Sequence, residues 1–88
     1  MTGEGRSADR VPMQDTAISL PPSAVGQPIR YLDPAVRVTV WIPRARHGWV
    51  QLDGAANAWT TTAAHVEYVD EHGRTGYAWV WASAVARL

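Results

Sequence analysis

The sequence predicts an all-β protein: one small five-stranded antiparallel barrel over residues 35–88, preceded by a flexible arm over residues 1–34. Three observations predict this fold. The second part of the chain alternates apolar and polar residues with the period of two that strands show. Its apolar runs are short and are separated by connections of a few residues that contain glycine or proline. A chain of 88 residues has room for a single domain only.

The arm is predicted from residues 1–34. Residues 1–14 are polar and have no period, so we expect disorder there. A brief apolar stretch follows, and Pro21-Pro22 then stops any helix. Ile29, Tyr31 and Leu32 indicate that the arm packs on the barrel from about residue 29, with Pro34 as its boundary.

The first half of the barrel has the clearest strand signal. Val36 to Ile42 alternates and is rich in β-branched residues, and Pro43 is expected to end that strand. Asp53-Gly54 is a turn signal after a second short strand. The remaining predictions for this half are a loop over 44–48, strand two over 49–52, an ambiguous stretch over 55–58, and a strand tendency over 59–62.

The second half reads as a hairpin followed by a short turn. We predict strands over 65–70 and 75–81, joined by a loop over 71–74 in which Gly73 takes a positive φ. Ala82 to Ala84 suits a single 3₁₀ turn. Residues 85–88 then form the last strand.

The stretch HVEYVDEHGRTGYAWVWASAVARL, residues 65–88, resembles the second half of an SH3-like or Tudor-like barrel. The resemblance lies in a strand ending in Tyr68-x-Asp70, a hairpin at Gly73, a partner strand, a 3₁₀ turn and a terminal aliphatic residue. It implies a binding module and identifies no partner.

The direction that each strand faces decides the functional hypothesis. The interior of so small a barrel is nearly filled by aliphatic residues, while each tryptophan needs roughly 150–250 Å² of buried surface, so all five tryptophans cannot lie inside. The predicted interior consists of Val36, Val38, Val40, Ile42, Val50, Leu52, Val66, Val80, Val85 and Leu88.

We therefore predict an outward-facing aromatic patch, rimmed by Arg44 and Arg46. Exposed aromatic rings beside arginine are typical of interaction hot spots. In the alternative, the second hairpin faces the other way, Trp79 and one neighbour are core, and the arm covers the other rings. The aromatic patch consists of Trp41, Trp49, Tyr77, Trp79 and Trp81.

The sequence contains few candidates for catalytic or metal-binding residues. A metal site at His65, Glu67 and His72 is conceivable, but a solvated polar strand face explains these side chains equally well. Ser83 lies in a tight turn without a nucleophile elbow, and no glycine-rich phosphate loop is present. We expect no enzyme activity, no metal and no cofactor.

Charge and composition bear on the partner and the compartment. Eight basic and eight acidic residues give a net charge of zero, whereas proteins that hold nucleic acid alone usually carry a basic excess. No cysteine, signal peptide or membrane-length apolar run is seen, so we expect a cytoplasmic protein that is not membrane-bound. The arginine- and alanine-rich composition, without lysine, is typical of a GC-rich bacterial genome.

These observations predict a non-enzymatic interaction module that binds a protein partner, or a second copy of itself, through the aromatic patch. The alternative is a weak nucleic-acid-binding accessory protein that uses the Arg44/Arg46 loop and the nearby tryptophans, because small barrels can stack bases on aromatic side chains.

Overall fold

A computed structural model describes residues 16–88. More than half of these residues lie in strands, and all five strands belong to one antiparallel sheet. The all-β fold class is thus confirmed. The elements are α1 (Pro22–Val25), β1 (Arg30–Arg44), β2 (Gly48–Trp59), β3 (Ala63–Val69), β4 (Thr75–Trp81), the 3₁₀ turn η1 (Ala82–Ala84) and β5 (Val85–Arg87).

The sheet has the strand order β4-β3-β2-β1-β5. The first three strands each pair with the next one along the chain through short connections, as antiparallel hairpins allow. The last strand returns to the other side of β1, where Val85 lies opposite Val40. The bounds predicted for β4 and for the turn after it are confirmed, and the last strand is confirmed to within one residue.

One face of the sheet forms the core. Val38, Val40 and Ile42 of β1 are fully buried there, together with Val66 of β3 and Val80 of β4. Removing such side chains from water is worth about 1.5–3 kcal/mol each, which makes this face the main source of stability. Leu88, expected inside, is exposed because it lies beyond the end of β5.

Tyr68 is the one aromatic side chain among the buried core residues of the described chain, and Gly76 makes room for it. The two residues lie opposite each other on β3 and β4. A β-carbon at position 76 would overlap the tyrosine ring, whose side chain lies across the glycine. Only a residue without a side chain fits there, so the pair places an aromatic ring among aliphatic residues without widening the sheet.

The turn predicted at Asp53-Gly54 is wrong, because β2 runs through it without interruption. Gly54 lies on the core face opposite Val38 and beside Tyr68 of β3. A β-carbon there would lie 2.5 Å from the carbonyl oxygen of Glu67. This glycine therefore permits a close approach of two strands rather than a reversal of the chain.

The first strand is longer at both ends than the sequence indicated. It begins at Arg30 rather than Val36, and its pairing with β2 shifts between Tyr31 and Val36. It also continues through Pro43 to Arg44. A proline can occupy a strand where its missing N–H is not needed for the ladder, and the Pro43 carbonyl still accepts a hydrogen bond from Ile18.

The segment before β1 packs on the sheet from Thr16 onward, earlier than the predicted residue 29. We call Thr16–Leu20 the strap. Its residue Ala17 forms a bridge with Arg44 of β1, and its Leu20 N–H donates to the Trp79 carbonyl of β4 at 2.9 Å. The strap therefore touches two strands that the sheet itself does not pair. The disorder predicted for residues 1–14 lies outside the described residues.

Asp70 organises the loop between β3 and β4. Its carboxylate accepts hydrogen bonds from the backbone N–H groups of His72 and Arg74, both at 2.8 Å, and from the Arg74 guanidinium at 3.0 Å. Gly73 follows with φ of 78°, in the region that favours glycine. The hairpin loop predicted over 71–74 is present.

Candidate functional site

Four large aromatic side chains lie exposed on the outer face of the sheet, opposite the core. Their exposed fractions are 47% for Trp41, 59% for Trp49, 58% for Tyr77 and 46% for Trp81. Isolated apolar residues at a surface are common, but several large rings on one small protein are not. They make the outer face the candidate functional site.

Strand alternation explains why these rings face outward. In β1, Trp41 lies between the buried residues Val40 and Ile42. In β4, Ala78 and Val80 are buried, so their neighbours point to the other face. Because side chains alternate with a period of two, turning the rings inward would expose the whole aliphatic set.

Trp79 differs from the other members of the aromatic patch because the N-terminal segment covers it in part. A small cavity of about 140 Å³ lies between Trp79 and residues that include Pro22, Val25 and Ile29. The Trp79 N–H also donates to the Ser19 hydroxyl at 2.8 Å. The alternative placed Trp79 in the core and the arm over the other rings. Instead Trp79 faces away from the core and lies partly under the N-terminal segment, and Tyr31 of the arm is itself 79% exposed.

Trp49 and Trp81 line one groove, although they are more than thirty positions apart in the sequence. The groove has a volume of about 200 Å³ and is mainly apolar. We call it the tryptophan groove. Its principal lining residues are Ile18, Leu20, Pro43, Trp49 and Trp81.

The strap residues of the tryptophan groove could not be found from the sequence. Ile18 and Leu20 stand in a short apolar stretch with no strand period, and nothing in it indicates which part of the sheet it meets. The bridge between Ala17 and Arg44 brings this stretch beside Pro43. A contact between segments so far apart depends on the tertiary fold, which local patterns do not encode.

A second cluster of rings lies across β3 and β4, and we call it the ring stack. It consists of His65, Tyr77 and Trp79. The His65 ring is nearly parallel to that of Tyr77, at 13°, with centroids 6.0 Å apart. Its centroid lies 5.2 Å from that of Trp79. Such offset and tilted arrangements are those that aromatic rings favour.

Asn57 holds the His65 ring in place. This residue is the extra one at a bulge in β2, between Ala56 and Ala58. Its Oδ1 lies 2.7 Å from His65 Nδ1, and since a carbonyl oxygen only accepts, Nδ1 carries the proton. Burial lowers the pKa of His65 from its ordinary value, which favours the neutral ring at pH 7. The sequence indicated neither the bulge nor this hydrogen bond.

Trp41 lies apart from both clusters. It stands opposite Gln51 in the β1–β2 register, and the next outward pair is Pro43 with Trp49. Diagonal neighbours on a sheet face are roughly 7–8 Å apart, so Trp41 extends the aromatic surface beyond the tryptophan groove. The predicted aromatic patch therefore consists of a groove, a stack and one ring beside the groove.

The prediction that Arg44 rims the aromatic patch is not met, because Arg44 is buried. Its exposed fraction is 2%, since the alternation of β1 continues past Ile42 and turns residue 44 toward the core face. Its Nη2 lies 3.2 Å from Glu71 Oε1 in the β3–β4 loop. Arg46 is exposed in the loop between β1 and β2, as expected.

The two acidic residues at the end of β3 both face arginine. Glu71 accepts a hydrogen bond from its own backbone N–H, which together with Arg44 lowers its pKa and outweighs the effect of burial. Burial acts most strongly on Asp70 and would raise its pKa, but the bonds from Arg74 and His72 lower it on balance. Both carboxylates thus remain ionised at neutral pH, and each offsets a nearby guanidinium.

Within residues 16–88, no three histidine, cysteine or acidic side chains come together in a geometry that would hold a metal ion. No helix in the same range has the length and apolar character that crossing a membrane requires.

Comparison of the chain with protein-family models, with curated proteins and with solved structures gave no match in any of the three. The SH3-like resemblance therefore stays a prediction. Of the elements on which it was based, the hairpin at Gly73 and the 3₁₀ turn before β5 are present.

Proposed function

We propose that this chain is a non-enzymatic interaction module that binds a protein partner through the aromatic surface of its outer face. The observation that carries the proposal is the division of residue types between the two faces. The buried core cluster consists of valine, isoleucine and alanine with a single tyrosine, while Trp41, Trp49 and Trp81 remain about half exposed. A protein that needed these rings for stability alone would have buried them.

The exposed rings can supply a large part of the energy that binding a partner requires. Covering the exposed half of one tryptophan removes on the order of 100 Å² from water, which is worth about 2–3 kcal/mol. Three such rings supply about 6–9 kcal/mol before any cost is subtracted, whereas an interaction of micromolar strength needs about 8 kcal/mol net in addition to the cost of association. The three rings are therefore a large part of the binding energy, and further contacts around them supply the rest. Tryptophan is also the residue type most enriched at the energetic centres of interfaces.

The tryptophan groove gives this surface a shape that an apolar side chain can enter. Trp49 and Trp81 form two of its walls, and Pro43 and the strap contribute the others. Pockets of this kind, with aromatic walls and few polar groups, are where anchor residues of a partner are usually found. We therefore place the centre of the interface at the tryptophan groove.

The alternative of a weak nucleic-acid-binding protein has less support. It relied on Arg44 and Arg46 together, but Arg44 is buried and forms an ion pair with Glu71. Arg74 likewise contacts Asp70. Phosphate contacts need accessible cations, so Arg46 is the one arginine of the proposed pair that is left to make them.

The proposal is tested by comparing three immobilised forms: the natural chain, the double variant Trp49→Ala/Trp81→Ala, and Tyr31→Ala as a control. Tyr31 is more exposed than Trp49 or Trp81, and it lies outside the tryptophan groove. A protein retained from an extract of the source cells by the natural chain and by Tyr31→Ala, but not by the double variant, is then purified and titrated.

The titration decides between the two functions. A purified protein that binds with little salt dependence, and more than tenfold more weakly to the double variant, supports the proposal. Binding of a single-stranded oligonucleotide that falls steeply with salt and is lost in Arg46→Ala would instead establish the alternative. Equal retention of every protein by all three forms would refute an interface at the tryptophan groove.

A further inference from the structure

The N-terminal element, Thr16–Val25, closes a gap in the sheet that no strand fills. The strap forms two hydrogen bonds at the end of β1: the Ile18 N–H donates to the Pro43 carbonyl at 2.7 Å, and the N–H of Ala45, the first residue after the strand, donates to the Thr16 carbonyl at 3.0 Å. On β4, both the N–H and the carbonyl of Trp79 are satisfied by the strap. Strand edges left open in this way are templates for another chain.

The element is held with little buried surface. Of its residues, only Val25 is buried, at 5% exposed, while Ala17, Leu20 and Ala24 are partly buried. Ile18 is 57% exposed. The Val25 carbonyl accepts hydrogen bonds from the hydroxyl groups of Thr60 and Thr62. An element with few buried apolar contacts and mainly backbone hydrogen bonds is of the kind that opens locally at low free-energy cost.

A short exposed connection joins the element to β1. Gly26, Gln27 and Pro28 are all exposed, and Gly26 has φ of 83°. Four residues separate Val25 from Arg30, which span at most about 14 Å when extended. A connection of this length and position is a suitable hinge, because straightening it carries the element away from its own sheet.

From these features we infer that the chain forms a dimer by exchange of Thr16–Val25, each copy placing this element on the sheet of the other. A second copy is the occupant because its own Thr16–Val25 segment fits these positions on β1 and β4: every hydrogen bond between the element and the sheet is formed again between the two chains. The net charge of zero gives two copies no overall repulsion. The exchange also brings Ile18 of one chain beside Trp49 and Trp81 of the other.

This inference goes beyond the proposed function, and it can be wrong while the proposed function is right. It concerns where Thr16–Val25 binds in a second copy, whereas the proposed function concerns a different protein at the tryptophan groove.

The test uses a disulfide, which the cysteine-free chain makes unambiguous. The double variant Thr16→Cys/Ala45→Cys uses two exposed residues that face each other, one in the strap and one directly after β1, at a separation that a disulfide can bridge. The full-length variant is refolded at a series of concentrations and then oxidised. In the closed form the bond lies within one chain, and in the exchanged form it links two.

The matched control is Val69→Cys/Thr75→Cys. These two exposed residues lie opposite each other in the β3–β4 hairpin. Both residues belong to one hairpin, so this disulfide stays within the chain in either form. Covalent dimer in the control measures chance contacts between molecules.

The inference is supported if the Thr16–Ala45 variant gives a species of about twice 9.6 kDa, linked through positions 16 and 45. By mass action, its ratio to monomer should rise about tenfold for each tenfold increase in concentration while monomer predominates, and about threefold once dimer predominates. It is overturned if the bond forms within single chains at all concentrations, with no more dimer than the control. Circular dichroism before oxidation confirms that both variants are folded, and Trp49→Ala/Trp81→Ala in the same background should keep the 16–45 link.

Discussion

At the scale of single residues, the hairpin loop after β3 depends on one carboxylate. Asp70 is buried, at 5% exposed, and it accepts three hydrogen bonds from His72 and Arg74. A charged group in this position is stable because all its partners are donors, two of them backbone N–H groups whose direction the loop fixes. The loop in turn carries Glu71, which pairs with the buried Arg44.

This arrangement predicts a pH dependence of folding stability. Because the pKa of Asp70 is lower in the folded chain than its ordinary value of 3.8, ionised Asp70 favours the folded state. That contribution is present above the ordinary pKa and is lost as the pH falls through the folded pKa. Asp70→Asn should lower the melting temperature at pH 7 and show a smaller further loss between about pH 5 and pH 2 than the natural chain.

The measurement is thermal unfolding followed by circular dichroism over that pH range, with Asp53→Asn as control. Asp53 is exposed on β2, and substitutions at exposed positions usually change stability little. A parallel pH profile in Asp70→Asn and the natural chain would show that the loop carboxylate does not contribute to acid sensitivity.

Some residue-level features followed from the sequence, and others did not. The outward direction of Trp41 follows from the aliphatic alternation of β1, which the sequence displays. The burial of Arg44 was missed, because Pro43 was expected to end the strand. Gly54 was assigned to a turn, since a glycine that permits close strand contact and one that permits a turn look alike in a sequence.

At the scale of elements, local sequence signals predicted the hairpin of β3 and β4 well and the first half of the chain less well. The second hairpin has alternating strands around a glycine loop, and contacts between neighbours in sequence decide its fold. The pairing of the strap with β1 and β4 joins residues far apart in the chain. A pattern read along the chain carries no information on such contacts, so the tryptophan groove was only half predicted.

The strap gives a prediction about two truncations. Removing residues 1–14 should leave the melting temperature unchanged, because this deletion keeps all the strap contacts. Removing residues 1–20 should lower it, since the Trp79 N–H and carbonyl on β4 and the Pro43 carbonyl on β1 lose their partners. Each unmade hydrogen bond at a partly exposed edge costs about 0.5–1.5 kcal/mol.

Thermal and urea unfolding of the two truncations, beside the full chain, check this prediction. The two deletions differ by six residues, so a change seen only in the longer deletion belongs to the strap and its flanking residue. If both truncations have the same melting temperature as the full chain, the strap adds nothing to the stability of the sheet. If the shorter deletion is already destabilised, residues 1–14 contribute to the fold.

At the scale of the whole molecule, the five tryptophans divide into two groups. Trp41, Trp49 and Trp81 are about half exposed. Trp59 packs against the core cluster, and Trp79 lies partly under the N-terminal segment. The interior of a sheet this small accommodates alanine and valine more readily than indole rings, so the rings take the outer face and its margins.

This division predicts the fluorescence of the protein. The triple variant Trp41→Phe/Trp49→Phe/Trp81→Phe keeps only Trp59 and Trp79, so its emission should move to shorter wavelength and acrylamide should quench it less efficiently than the natural chain. Because phenylalanine keeps much of the apolar surface, the melting temperature should change by only a few degrees. The reverse variant, Trp59→Phe/Trp79→Phe, serves as the matched control: it should retain strong quenching but melt at a lower temperature, because its lost ring atoms lie in packed surroundings. Equal quenching of the two variants would mean that the outer rings are covered in the free protein, and the aromatic surface would then not be available to a different partner.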